Sequence, residues 1–295
     1  MHAVDSILRR WKREPFPVSD AGDLFVRDPA SASGLMTWIV LASVPALIVG
    51  LAANPSGLEA AFFAFVPVLL AALLVSLVIH VVFAFARNRV VDPAWFMHGW
   101  LFALLAPHDM SLVLVAGGIA FGVVFGSLIF GGSGRNIVSP ALLGVVFTQL
   151  GYPDAFRSAE AGSGWQSVVG GETLPTEWLP VLIEQNAANV GSVSAAACLF
   201  GAIVLIAVGV ASLRVIVGAL AGAAIAAVYF SYSGDGSMPA ALLPHWHWVL
   251  GSFAFCTAFI LTDPSAQAVT RPGRWLYGAL AGVLTVTIRV MNPDH

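Results

Sequence analysis

The stretch GGSGRNIVSPALLG, Gly131–Gly144, follows one long apolar run and leads into another. It packs three glycines into four residues, then Arg135 and Asn136, and places Pro140 just inside the next apolar run. Gly131, Gly132 and Gly134 can end a helix, because glycine takes positive φ and lets the backbone approach a neighbour closely. Asn136 can cap the following helix, and Pro140 suits its first turn, where no backbone N–H is required. Read alone, this is a tight helix–helix hairpin. No Gly-Lys-Ser/Thr follows, so it is no phosphate-binding P-loop, and no strand precedes it, so it is no dinucleotide fingerprint.

The surroundings place the hairpin in a membrane. The 295-residue chain is 58% hydrophobic and 10% charged, with a mean hydropathy of +0.87, whereas soluble domains carry roughly 25% charged residues. The net charge of −3 gives no reason to expect nucleic acid as a partner. Cys198 and Cys256 lie far apart in apolar runs without metal-ligand spacing, so a disulfide framework or zinc site is not expected. Met1 to Asp28 is polar and no cleavable signal is visible.

A helix needs ~20 apolar residues to cross the bilayer. Nine segments qualify or come close: 34–53, 60–86, 93–106, 111–131, 137–151, 190–210, 213–231, 247–262 and 275–292. The proline-marked 93–106 and 137–151 are short enough to be broken or partly re-entrant, whereas 247–262 is uninterrupted. The expected fold is an all-α polytopic membrane protein. Residues 1–33 form a cytoplasmic segment and 34–295 one integral membrane domain, with an outer loop at 152–189.

Basic residues set the orientation. With the N-terminus in the cytoplasm and every segment crossing, Arg9, Arg10, Lys12, Arg13, Arg27, Arg87, Arg89, Arg135, Arg214, Arg271 and Arg274 fall inside, and only Arg157 and Arg289 outside. The acidic loop 152–189 then lies on the outer face, with a short helix expected from Thr176 to Glu184. The C-terminus is expected outside.

Two further stretches carry polar residues to the inner side. LTDPSAQAVTRPGRW, Leu261–Trp275, puts Asp263 at a helix end, either as a solvated turn residue or with Arg271, Arg274 or Arg135 as partner. Asp92-Pro93-Ala94 echoes Asp263-Pro264-Ser265, a hint of two inverted repeats with broken helices. His80 and His98 lie within apolar segments, as hydrogen-bonded packing or as a cofactor or proton contact. PHWHW, Pro244–Trp248, offers tryptophans suited to an interfacial belt and a His-x-His pair without a third metal ligand. No acid–base or nucleophilic constellation is present, so catalysis by the chain alone is not expected.

GGSGRNIVSPALLGVVFTQLGYP resembles the Gly-Gly-Thr-Gly-Lys/Arg-Asn-Phe-x-Asn-Pro-Ala-Leu run, closed by Tyr-Pro, of one membrane family. That family includes the B-type subunit of the sodium-translocating NADH:quinone reductase and the D-type subunit of the Rnf electron-transport complex. TDPSAQAVTRPGRWLYGALAGVLTVTIRVMNP is similar to its Thr-Asp-Pro-x-Ser-Ala…Gly-Lys-Trp…Ile-Arg-Val-x-Asn-Pro run, and FVRDPASASGLM to its approach to the first helix. The likeness runs from about Phe25 to Pro293 in the same order.

The resemblance implies a multi-pass subunit of a bacterial-type inner membrane, in a complex with other membrane and peripheral subunits. There it would pass electrons through flavin while the complex moves a cation. It implies a non-covalent riboflavin or FMN near Gly131, Gly132, Gly134, Arg135, Asn136, Ser139 and Asp263. Asn136 matches the family's first asparagine, and Ser139 replaces its second with a shorter-reaching hydroxyl. Arg135 would favour a reduced, anionic ring. The outer-loop threonine that carries FMN in the family is replaced by Gln166, which cannot form the phosphoester, and Ser167 is one position off. Covalent FMN is therefore not expected on this chain. The family also continues past Asn-Pro into a further helix, where this chain stops at His295. The alternative is a small-solute channel or transporter without a redox role, built on Asn136, Ser139, Asp263 and Gln267.

Overall fold

The computed structural model describes residues 32–107, 109–160, 178–185, 189–233, 240 and 242–291. Gln166, Ser167, the Phe25–Asp28 stretch and the rest of the N-terminal segment lie outside the described residues. What is described is helical, and the single extended pairing is an isolated bridge between Pro107 and Asn189. The chain is an all-α polytopic membrane protein.

Two long helices open the bundle, α1 (Ala32–Ala52) and α2 (Leu58–Ala86). The 29 residues of α2 span about 43 Å at 1.5 Å per residue, more than the ~30 Å of a bilayer core. Only a narrow stripe of α2 is buried: Ala61, Phe65, Val68, Ala72, Ser76 and His80, at spacings of three and four. The rest of its surface is equally apolar, with Phe63, Val78, Val82 and Phe85 exposed. An apolar exterior around an apolar stripe is what a lipid-facing helix requires. By length and composition, α1, α2 and Leu213–Ser233 are long and apolar enough to cross a membrane.

The next helix, α3 (Trp95–Leu105), reaches only about 16 Å, half a bilayer core. Nearly all of it is buried, from Met97, His98 and Gly99 through Leu101–Leu105. A helix that stops at membrane depth leaves backbone groups unpaired unless protein surrounds them. Here the Pro107–Asn189 bridge takes up the chain just past its end. Gly191 packs so closely that a Cβ there would sit 2.8 Å from the Leu104 carbonyl and 2.9 Å from the Phe255 ring.

Helix α4 (Leu112–Val123) continues into a π-helical turn, Val124–Leu128, and α5 (Pro140–Gly151) begins with Pro140 in its first turn as the sequence indicates. Asn136 is not the cap of α5. That position belongs to Ser139, whose side chain makes no capping bond. Among its described residues, the polar segment that follows holds two short helices, α6 (Pro153–Glu160) and α7 (Trp178–Ile183), the latter within the expected 176–184.

Among the described residues the second half comprises α8 (Ala195–Ala207), α9 (Leu213–Ser233), α10 (Pro244–Val249), α11 (Phe253–Phe255) running into a π-helical turn Cys256–Ile260, and α12 (Arg271–Met291). The segment read as uninterrupted over 247–262 is therefore broken, at Leu250–Ser252. Two side chains from elsewhere hold the break. Gln185 donates through Nε2 to the carbonyls of Val249 (3.0 Å) and Gly251 (3.1 Å) and accepts from the Gly251 N–H (3.0 Å). Arg289 donates to the carbonyls of His247 (2.8 Å) and Leu250 (2.7 Å). Arg289, which the charge pattern counts as an outer-loop residue, is thus an internal cap on carbonyls that the break frees. Trp246 is buried and Trp248 donates to the Leu220 carbonyl at 3.2 Å, so both pack into the protein rather than forming an exposed belt.

The tightest helix pair is α9 with α12. Each carries Gly-Ala-Leu-Ala-Gly, at Gly218–Gly222 and Gly278–Gly282. A Cβ on any of the four glycines would fall against a backbone carbonyl of the other helix: Trp275, Ala279, Val215 and Ala219 respectively. Small residues four apart let the backbones touch, which is how helices associate where lipid supplies no hydrophobic drive.

Candidate functional site

At one end of the bundle the turn Gly131–Asn136 ties together two Asp-Pro turns. Three glycines make it, with φ of +116° at Gly131, +94° at Gly132 and +86° at Gly134, a backbone region that L side chains rarely enter. Gly132 is needed for space as well, since a Cβ there would lie 2.8 Å from Asp92 Oδ2.

The first tie runs to Asp92. Its Oδ2 accepts from the Ser133 backbone N–H at 2.6 Å, and its Oδ1 from the Ser133 hydroxyl at 2.7 Å and the Ala94 N–H at 3.0 Å. Burial alone would raise this carboxyl, but the Ser133 and Ala94 donors outweigh it and hold the group below the ordinary carboxylate value. Arg87, at the end of α2, donates to the Leu128 carbonyl where the π-helical turn finishes.

The second tie runs to Asp263. Asn136 Nδ2 donates to Ser265 Oγ at 2.9 Å, and that hydroxyl donates to Asp263 Oδ1 at 2.7 Å. Oδ1 also accepts from the Ser265 N–H at 2.8 Å. Asp263 is fully buried, and none of the candidate arginines neutralises it. Its Oδ2 has no partner among the described residues, while Arg274 Nε donates to the Ala268 carbonyl and the Arg135 side chain lies against Gly131. Burial pushes this carboxyl up, and the two Ser265 bonds only partly oppose that.

Of the site residues expected from the sequence, Asn136 and Asp263 are joined through Ser265, whereas Gly131 and Gly132 belong to the Asp92 side. Gly131 and Gly132 face an open cavity of about 350 Å³ that Asp92, Arg87, His80 and Leu128 also line. Asn136 and Asp263 share a hydrogen-bonded chain through Ser265, none of which lines that cavity. Ser139 is buried with no partner for its hydroxyl among the described residues, and a Cβ on Gly134 would meet none of them within 4 Å. Three buried acceptor atoms on these two turns have no partner among the described residues: Asn136 Oδ1, Asp263 Oδ2 and Gln267 Oε1. Both π-helical turns add a buried hydroxyl in the same condition, Ser127 and Thr257. Such turns are frequent at functional sites. Reasoning from the sequence missed Ser133, Ser265 and the cavity. The Asp-Pro echo was their one visible signal. It marks unlike places, since Asp92 leads into a half-length helix and Asp263 leads out of a broken one.

No group of three or more His, Cys, Asp or Glu suited to a metal ion occurs among the described residues. Both cysteines are free.

Known proteins resemble this chain in sequence. The chain is 36% identical over 251 residues to the B-type subunit of the Na(+)-translocating NADH-quinone reductase of Klebsiella pneumoniae (strain 342), covering 78% of this chain and 61% of that protein. It is 37% identical over 243 residues to the corresponding subunit from Chromohalobacter salexigens, covering 78% and 59%, and 36% identical over 251 residues to that from Yersinia pestis, covering 78% and 60%. The chain thus spans about 60% of the length of the curated relatives it matches. The profile of the NQR2, RnfD, RnfE family matches residues 21–294, nearly the whole sequence, and the chain belongs to that family.

Proposed function

We propose that this chain is a membrane subunit of an ion-translocating electron-transport complex, of the sodium-translocating NADH:quinone reductase or Rnf type. In this reading it passes electrons through a riboflavin or FMN held without a covalent bond between the Asn136 and Asp263 turns. It works beside other membrane and peripheral subunits in a bacterial inner membrane, with its N-terminus and the glycine turn on the cytoplasmic side.

One observation carries the reading: the unpartnered acceptors Asn136 Oδ1, Asp263 Oδ2 and Gln267 Oε1 lie on two turns that a hydrogen bond already joins. Leaving a buried acceptor unsatisfied costs about 1–3 kcal/mol, so three of them call for donors. A flavin offers such donors in its ring N–H and the hydroxyls of its side chain, which supports the reading. When bound, the flavin supplies the redox-active ring. The protein's part is to orient it: Asn136, fixed by Ser265, presents its carbonyl in one direction, and Asp263 presents Oδ2. A protonated Asp263 would donate instead of accept, which makes the contact sensitive to the ring's own protonation. Gln166 carries no hydroxyl to esterify, which supports non-covalent retention.

The test is to purify the full chain in detergent, precipitate it with acid and measure the flavin released and the flavin retained. The expected result is about one flavin per chain in the acid supernatant and none on the precipitated protein. A colourless protein that takes up neither riboflavin nor FMN would overturn the proposal. Donor-independent solute flux in liposomes would favour a channel.

A further inference from the structure

His80 and His98 face each other inside the bundle, with ring centroids 5.7 Å apart and planes tilted by 36°. Both are buried, at 1% and 0% exposure. His80 Nδ1 lies 2.7 Å from the Ser76 carbonyl. A carbonyl can only accept, so Nδ1 carries the hydrogen, and Nε2 of the neutral ring is a bare lone pair. That Nε2 has no partner among the described residues, nor does either ring nitrogen of His98. Apolar side chains would fill the same space without stranding three polar atoms, each costly when unsatisfied. Packing alone does not account for the pair.

His80 also lines the open cavity described above. That cavity reaches past Val90, which is exposed, to Arg87, Arg89, Asp92 and the Gly131–Ser133 turn. The ionisable groups around the pair come from few elements. The α2–α3 connection brings Asp92 and the two arginines, and the glycine turn is followed by Arg135. Neither α1 nor α4 with its π-helical turn contains a charged residue. Among the described residues, Asp92 is the one group here whose charge favours a cation on either ring.

We propose that His80 and His98 form a proton-exchange site, reached from the water at the Asp92 end of the bundle through this cavity. A hydronium ion gives its proton to His80 Nε2 and leaves as water. The ring becomes an imidazolium that keeps its Nδ1–H bond to the Ser76 carbonyl, and no electron moves. His98 lies close enough that charging one ring opposes charging the other, so the pair takes up one proton as a unit. The site is independent of the flavin reading, since no residue of the Asn136–Ser265–Asp263 chain belongs to it.

The experiment is nitrogen NMR of the full chain, labelled at histidine with ¹⁵N, in detergent micelles from pH 8 to about pH 5. The expected result is a joint shift of the His80 and His98 ring signals with a total uptake of one proton. In His98→Gln, His80 should titrate alone with a displaced midpoint. In Val90→Trp, which plugs the cavity, proton exchange at His80 should slow by more than about tenfold. Ring signals of the wild-type protein that stay neutral over the whole range would overturn the proposal. So would two rings that charge independently, or exchange at the wild-type rate in the plugged variant.

Discussion

The two Asp-Pro turns begin alike and end differently. In each, aspartate Oδ1 accepts the backbone N–H two residues on, at 3.0 Å for Asp92 and 2.8 Å for Asp263. In each, a serine hydroxyl donates to the same oxygen, at 2.7 Å. The difference is the second oxygen. Ser133 closes Asp92 with its backbone N–H at 2.6 Å, whereas Asp263 Oδ2 is buried with nothing to accept among the described residues. The first turn is a finished structural joint and the second is an incomplete one. The same motif is therefore closed in one place and left open in the other, and the partner that closes it, Ser133, comes from the glycine turn.

Variants can break that contrast. The largest expected loss of stability is for Asp92→Ala, which strands the N–H groups of Ser133 and Ala94. Bonds to a charged acceptor are worth about 1.5–3 kcal/mol each, so thermal unfolding in detergent should register a loss of about 3 kcal/mol or more. Gly132→Ala follows at about 1–3 kcal/mol, because a methyl group there meets Asp92 at a backbone angle it does not favour. Asp263→Asn should change stability by less than about 1 kcal/mol, because the carboxamide oxygen still accepts from Ser265 and a buried charge is removed.

The pH dependence sharpens the same contrast with opposite signs. Asp92 is held below the ordinary value, so its contribution is present above about pH 4 and is lost as pH falls through its folded value. Asp263 is held above that value, so its fold favours the protonated form. Its contribution is full below about pH 4 and falls as pH rises toward the raised value. Unfolding measured against pH should lose its acid limb in Asp92→Asn and its decline above pH 4 in Asp263→Asn. Ser133→Ala should cost only about 1 kcal/mol, well short of Asp92→Ala, since the backbone N–H of residue 133 still reaches Asp92.

Much of the fold was legible in the sequence because helices in lipid must be long and apolar, and turns between them must hold the polar residues. Pro140 in the first turn of its helix, the glycine bend and the helix at 178–183 all follow from local chemistry. What was not legible depends on distant partners. The break at Leu250–Ser252 sits in an apolar run with no proline, and it exists because Gln185 and Arg289 bind its carbonyls. An arginine near a helix end reads as a loop charge until the carbonyls it caps are known. The meeting of Asn136 with Asp263 was expected, whereas Ser265 as the hydroxyl between them was not, since serine in a turn is ordinary.

The most direct measurement is equilibrium binding of riboflavin to the full chain and to Asp263→Asn and Asp92→Asn, each checked for folding. The account predicts about tenfold weaker binding in Asp263→Asn, the equivalent of about 1.4 kcal/mol, and a change of less than about threefold in Asp92→Asn. Equal affinity in all three, or a loss confined to Asp92→Asn, would contradict it.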